Sequence, residues 1–225
     1  MSFPSFRTAL FTLALAAAPL ASQASFLVQQ WQGGNAGNNG LTGADAIIAS
    51  GAAPSASASW NTIDFSDTAD GSYNGYVAGH SAWPLATLLG QSGENATANT
   101  DFAALITGSF LITTAGNYTF TTYGDDGLRL KIDGVTVIND NSYHSASTNS
   151  ASQFLSAGLH TVDLVFFEGG GQGLLEFSMA AATGGPQTLV FSGSSTAAAV
   201  PEPGSLALVG LASLGLWAAS RRRRA

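Results

Sequence analysis

GSFLITTAGNYTFTTYGDDGLRLKIDG, residues 108–134, decides how the rest of the chain is read. Within it Tyr118 and Phe120 fall on one face of an extended segment, and Thr119 and Thr121 on the other. Leu128, Leu130 and Ile132 then alternate with Arg129 and Lys131. Period-two alternation marks strands buried on one side. Asp133-Gly134 supplies a turn with φ > 0 that leads into a hairpin strand, Val135 to Ile138. Between the first two strands lie two adjacent carboxylates, Asp125 and Asp126, flanked by Gly124 and Gly127. Oxygen donors packed this densely suit a hard cation.

Outward from this stretch, strand patterns recur at residues 26–32, 63–65, 159–167, 174–179 and 188–191. In the segment from His160, Val162, Leu164 and Phe166 share a face and Asp163 points away. Further on, Leu175, Phe177 and Met179 are expected inside and Glu176 outside. Residues 45–50 and 84–89 read as short helices. Many short strands between Gly/Ser/Asn/Thr turns predict an all-β protein, an antiparallel β-sandwich.

Composition narrows the function. Residues 25–200 contain two basic residues against thirteen acids, a net charge of −11, which repels phosphate backbones and excludes nucleic acid as a partner. The chain has no cysteine, hence neither disulfides nor thiolate metal sites. His80, His144 and His160 are too scattered for zinc, and no nucleophile elbow or Ser/His/Asp signature is present.

The two ends read as addresses. Residues 1–24 have a basic start at Arg7, an apolar run and a small-x-small end, the pattern of a secretory signal peptide. Residues 194–200 form a Ser/Thr/Ala linker. The tail, 201–225, combines Pro201-Glu202-Pro203, an apolar stretch at 205–220 and the cluster Arg221, Arg222, Arg223 and Arg224. At 1.5 Å per residue that stretch spans about 24 Å as a helix, a little short of a bilayer core. Snorkelling arginines make up the difference and stay cytoplasmic. This tail resembles the PEP-CTERM sorting signal of Gram-negative bacteria. The resemblance implies recognition by an exosortase, a transient inner-membrane anchor, and delivery to the cell surface or extracellular matrix. A permanent single-pass anchor is the alternative.

Gly116-x-Tyr118-x-Phe120, then Asp125-Asp126-Gly127, then Leu130-x-Ile132-Asp133-Gly134 resembles the anthrax protective-antigen-like domain. So do Ala157-Gly158 and the loop Phe167-Glu168-Gly169-Gly170-Gly171. The resemblance implies a β-sandwich spanning 25–193 that commonly binds carbohydrate. It also implies that Asp125 and Asp126 are joined by a cis peptide and bind Ca²⁺. Remaining ligands are expected from 168–173, with Glu168, the Gly171 carbonyl and Gln172 as candidates. Tyr123 and Tyr143 are candidate ring faces for a sugar, the latter in an irregular loop at 139–152. Trp83 reads as core. Asp64, Asp67 and Asp70 form a spaced acidic run that reads as a solvated turn, with a further calcium site as the alternative.

The expected function is calcium-dependent binding of glycans or exopolysaccharide by an exported, adhesin-like protein that is not an enzyme. The alternative is a structural matrix or surface-coat protein that binds no sugar.

Overall fold

The computed structural model describes residues 25–67, 80–93, 96–181, 186–190 and 192. The expected leader, linker and tail, and Asp70, lie outside the described residues.

Among the described residues there are eleven strands and two α-helices: β1 (Phe26–Gln32), α1 (Gly40–Ala49), β2 (Ala56–Trp60), β3 (Asp64–Ser66), α2 (Pro84–Leu89), β4 (Phe102–Ile112), β5 (Gly116–Asp125), β6 (Leu128–Ile132), β7 (Val135–Asp140), β8 (Ser147–Leu155), β9 (Gly158–Glu168), β10 (Leu174–Ala181) and β11 (Thr188–Leu189). They form two antiparallel sheets, ordered β2-β1-β4-β9-β6-β7 and β11-β10-β5-β8, with β3 added beside β10. The sandwich is therefore all-β, as the alternation predicts. The Asp133-Gly134 turn has φ of 52° and 77°, and β6 buries Leu128, Leu130 and Ile132 while Arg129 and Lys131 stay half-exposed.

Between the sheets, Phe65 stacks on Trp83, Trp83 on Phe166, and Phe120 on Phe177, all fully buried. Rings of this size dominate the area removed from water. The Trp83 indole N–H donates to the Gly173 carbonyl at 3.0 Å, so the core's largest ring also holds one end of the 169–173 loop.

A second, smaller apolar cluster lies outside the first sheet. There α1 lays Leu41 and Ala44 over Ala103, Val165 and Phe167. Both faces of β4 and β9 are thus covered near their shared end, and Leu164 to Glu168 are buried without alternation. The first three residues of β4, Phe102, Ala103 and Ala104, are likewise all buried, without the alternation that marks a strand in sequence. The helix begins at Gly40, not residue 45. Its first N–H groups are capped from afar, Gly40 by the Tyr143 hydroxyl (2.6 Å) and Leu41 by Asn141 Oδ1 (2.7 Å).

Three expectations are corrected. Residues 139–152 are not one loop, because β8 occupies Ser147–Leu155 and pairs with β5 along its whole length. Its alternate residues are hydroxyls and amides, so it lacks the apolar period that signals a strand. Glu176 is buried, not outward in solvent: Asp64 of β3 lies opposite it, and His80 folds over Asp64 at 2.6 Å. Asp64 and Asp67 are likewise buried, so they form no solvated turn.

Trp83→Ala should cost about 3–5 kcal/mol of stability. Trp83→Phe, which keeps the stacking but loses the bond to Gly173, should cost about 1 kcal/mol. Urea midpoints at unchanged slope measure both.

Candidate metal centre

Antiparallel pairing brings three chain reversals to one end of the sandwich. Asp125 ends β5 directly opposite Leu174, the first residue of β10, and the preceding Gly124 lies opposite Ser147, the first residue of β8. The β5–β6 corner, the 141–146 loop and the 169–173 loop therefore meet. The Asp125–Asp126 peptide bond is cis. The corner needs its glycine, since a Cβ on Gly127 would lie 2.5 Å from the Asp140 carbonyl oxygen and 2.7 Å from the Phe167 ring.

Asp126 joins the two loops. Its Oδ1 accepts the His144 N–H and its Oδ2 the Gly169 N–H, both at 2.9 Å. Beneath them, Asp67 Oδ2 accepts the Gly173 N–H at 2.7 Å. Asp101 accepts from the N–H groups of Asn35, Gly37 and Asn38, and its own N–H donates to the Gly169 carbonyl. Gly37 lies so close to Glu168 that a Cβ there would reach 1.8 Å from its carbonyl oxygen.

Glu168 points inward under this arch, wholly buried, and neither carboxylate oxygen has a hydrogen-bond partner of ordinary geometry. One ligand oxygen from each of Asp125, Asp126 and Glu168 lies within 4.8 Å of the others. Burial, then the charges of Asp126, Asp125 and Asp67, push Glu168 up to about 9, offset only by the Gly170 N–H. Burial and then Asp126 raise Asp125 to about 7, with His144 and the Ala146 N–H opposing. Two unsatisfied buried oxygens beside two further carboxylates fit a hard, oxygen-seeking cation.

Above the carboxylates opens a cleft of about 520 Å³ lined by Asp125, Asp126, His144, Ser145, Gly170, Gly171 and Gln172. Asp125, Asp126, Gly171 and Gln172 thus come together as the sequence suggests, with Glu168 below. The two tyrosines do not line the cleft. Tyr123 is half-buried on the outer face of β5, between Thr148 and Glu176. Tyr143 spends its hydroxyl on Gly40 N–H and Gly37 O and sets its ring edge against Phe167. It braces the loop; it is not a platform in the cleft.

His144 and Ser145 are the cleft residues that the sequence does not single out. His144 Nδ1 faces the Ser145 carbonyl at 2.8 Å and Nε2 faces Asp140 Oδ2 at 3.0 Å. Burial would lower its pKa, but these acceptors raise it, so the ring is held rigidly as one wall.

The sandwich and its acidic, cation-sized hollow define a β-sandwich module with an oxygen-lined site at one end. Residues 90–187 match the PA14 domain, and residues 199–224 match the PEP-CTERM protein-sorting motif. This chain carries a PA14 domain and a PEP-CTERM sorting motif. It is similar to the PA14 sugar-binding domain of an RTX adhesin, with a TM-score of 0.55, 22% identity, and coverage of 76% of this chain and 96% of that one. The PA14 domain of the MpAFP antifreeze protein superposes with a TM-score of 0.56 at 18% identity, over 74% and 89% of the two chains. The A domain of epithelial adhesin 9 from Candida glabrata, solved with Galβ1-4GlcNAc, gives 0.53 at 10% identity, over 78% and 92%. These likenesses show the fold. No curated protein matches the sequence.

Asp125 and Glu168 both have folded pKa values above their unfolded ones. Their contribution to stability is therefore complete below about pH 4 and is lost as pH rises toward 7 and 9. With chelator present, stability should fall between pH 5 and 8, and Glu168→Gln should recover more than about 1 kcal/mol at pH 8. Chemical denaturation at the two pH values tests this; an unchanged or steeper loss in the variant would contradict it.

Proposed function

We propose that this chain is an exported, surface-sorted protein that binds carbohydrate through a calcium ion held by Asp125, Asp126, Glu168 and the 169–172 loop. The observation that carries the reading is the convergence of three carboxylates, one with both oxygens buried and unpartnered, under an open cleft. The RTX adhesin relative binds sugar and the Candida domain holds a disaccharide; the cleft here gives this chain the means to do the same.

Asp125, Asp126, Glu168 and the 169–172 loop would hold the calcium, which would supply open coordination positions for a vicinal pair of sugar hydroxyls. The protein's own part is positional. Asp126, fixed by the N–H groups of His144 and Gly169, holds both loops at the distance the cation needs. Asp125 and Glu168 give up protons as they ligate. Gln172 and Gly171 line the cleft, and a glycine run there lets backbone oxygens approach without side-chain interference. His144 and Ser145 line it as well and select among sugars by shape.

Binding, not hydrolysis, suits this geometry. Carboxylate oxygens within 4.8 Å of one another are closer than the roughly 5–9.5 Å that separates glycosidase pairs across a bond. Residues 25–193 form the binding unit. The tail, 201–225, with its apolar stretch at 205–220, serves as a transient inner-membrane anchor and is cut by an exosortase near Pro201-Glu202-Pro203. The product remains at the surface or in the exopolysaccharide matrix. Single sites of this kind are weak, so display in many copies supplies avidity.

Calorimetric titration should show one calcium site, with release of about one to two protons near pH 7. Asp125→Asn should weaken calcium at least about tenfold, since even outer partners of a metal are worth that much. A glycan array should lose its signal with chelator and with Asp125→Asn. Sugar binding that survives both would sink the calcium mechanism, and no binding at saturating calcium would leave a structural coat protein.

A further inference from the structure

Every open sheet has edges, and among the described residues one long edge strand of this sandwich, β8, meets no further strand. Among the described residues β8 pairs only with β5. The other edges are blunted: β11 has two residues and β2 five, while β7 has a bulge at Val137 and ends on Asp140. By contrast β8, STNSASQFL, runs nine residues in unbroken register with β5, without charge or proline. Edge strands of this length ordinarily carry charges, bulges or proline, because their free N–H and C=O groups template a further strand. Here a neutral strip borders a domain of net charge −11.

The strip is also self-complementary. On its outer face Ser150 and Ser152 hydrogen-bond to Thr121 and Thr119, each at 2.9 Å. On its inner side the buried Gln153 Oε1 has no partner. In an antiparallel pairing about a two-fold axis through Ala151, Ser150 faces Ser152 of the second copy. The hydroxyl ladder then continues across four strands. Gln153 faces Asn149 of the second copy, whose amide donates one hydrogen to Asp140 and has another to offer.

We propose that β8 is a homodimer seam, at which a second copy of this chain adds its own β8 antiparallel and joins two five-strand sheets into one of ten. The pairing is isologous, so it closes after two copies and does not propagate. It also orients the sites. Each cleft adjoins the Ser147 end of β8, so the two lie about 27 Å apart along the seam and open in opposite directions. On the sugar-binding reading given above, such a dimer bridges two glycan surfaces; the seam itself does not depend on that reading.

Sedimentation velocity of the full chain in detergent, with chelator and without sugar, tests the seam separately from the site. The wild type should sediment as a dimer. Ser150→Lys/Ser152→Lys and Ser150→Glu/Ser152→Glu should each weaken it at least about tenfold, because like charges then face each other across the seam. An equimolar mixture of the two should restore the dimer. As a second probe, Ala151→Cys puts one cysteine on the axis of a cysteine-free chain. The Cα separation of about 4.5–5.5 Å expected there lies within disulfide range. Oxidation should yield a covalent dimer, whereas Ser59→Cys on β2 should stay monomeric. A wild type that stays monomeric to about 100 µM, a dimer indifferent to both charge variants, a mixture that fails to reassociate, or no Ala151→Cys crosslink would each overturn the proposal.

Discussion

Repulsion among Asp125, Asp126 and Glu168 is the constraint on which this end of the molecule is built. None of the three gains from the others' company, and neither oxygen of Glu168 has a hydrogen-bond partner of the ordinary geometry that makes a buried carboxylate tolerable. The contacts that hold them together lie elsewhere. The β4–β9 ladder, from Phe102↔Glu168 to Ile112↔Gly158, fixes where Glu168 ends its strand. The β5–β10 ladder fixes Asp125 beside Leu174. Aromatic packing under both sheets supplies the stabilisation that this crowding erodes. In the function proposed above, a site so placed would trade stability for affinity, since a divalent cation would remove the repulsion that folding imposed.

The acids elsewhere share a related role. Asp101 gathers three N–H groups of the 35–38 segment, Asp126 one from each of two loops, and Asp67 the N–H of Gly173. Each described histidine is paired with an aspartate: His80 with Asp64, His144 with Asp140, His160 with Asp133. The domain's strongly negative composition, readable at first as a solubility device, is in large part internal fastening for loops with few apolar side chains of their own.

This bears on how far the sequence could be read. The strands flanking the site were legible because one of their faces meets the core, as Phe120, Leu130 and Phe177 do. The Asp133-Gly134 turn was legible because its backbone demands such residues. What escaped was structure specified at a distance. Helix α1 starts at Gly40 because Tyr143 and Asn141, a hundred residues on, cap it. Strand β8 escaped because hydroxyl pairs to β5 do the work that apolar alternation does elsewhere. Glu176 and Asp64 were misplaced because the face they occupy is covered by a segment that returns over β3. The aspartate pair was readable through its family likeness; that Tyr143 braces and His144 walls the cleft follows only from which of two neighbours finds partners in α1.

Tyr143 links these observations. Its hydroxyl ties the 141–146 loop to Gly37 and Gly40, and its ring packs against Phe167 and beside Gly169. The next residue donates its N–H to Asp126. One side chain thus couples the cap of α1, the outer apolar cluster and both loops of the cleft. The surroundings of the three carboxylates are set by tertiary contacts that lie outside the cleft, so in the function proposed above Ser145 can vary without loosening the metal. A rigid frame for the ion and a replaceable wall for the ligand would then let one sandwich serve different sugars.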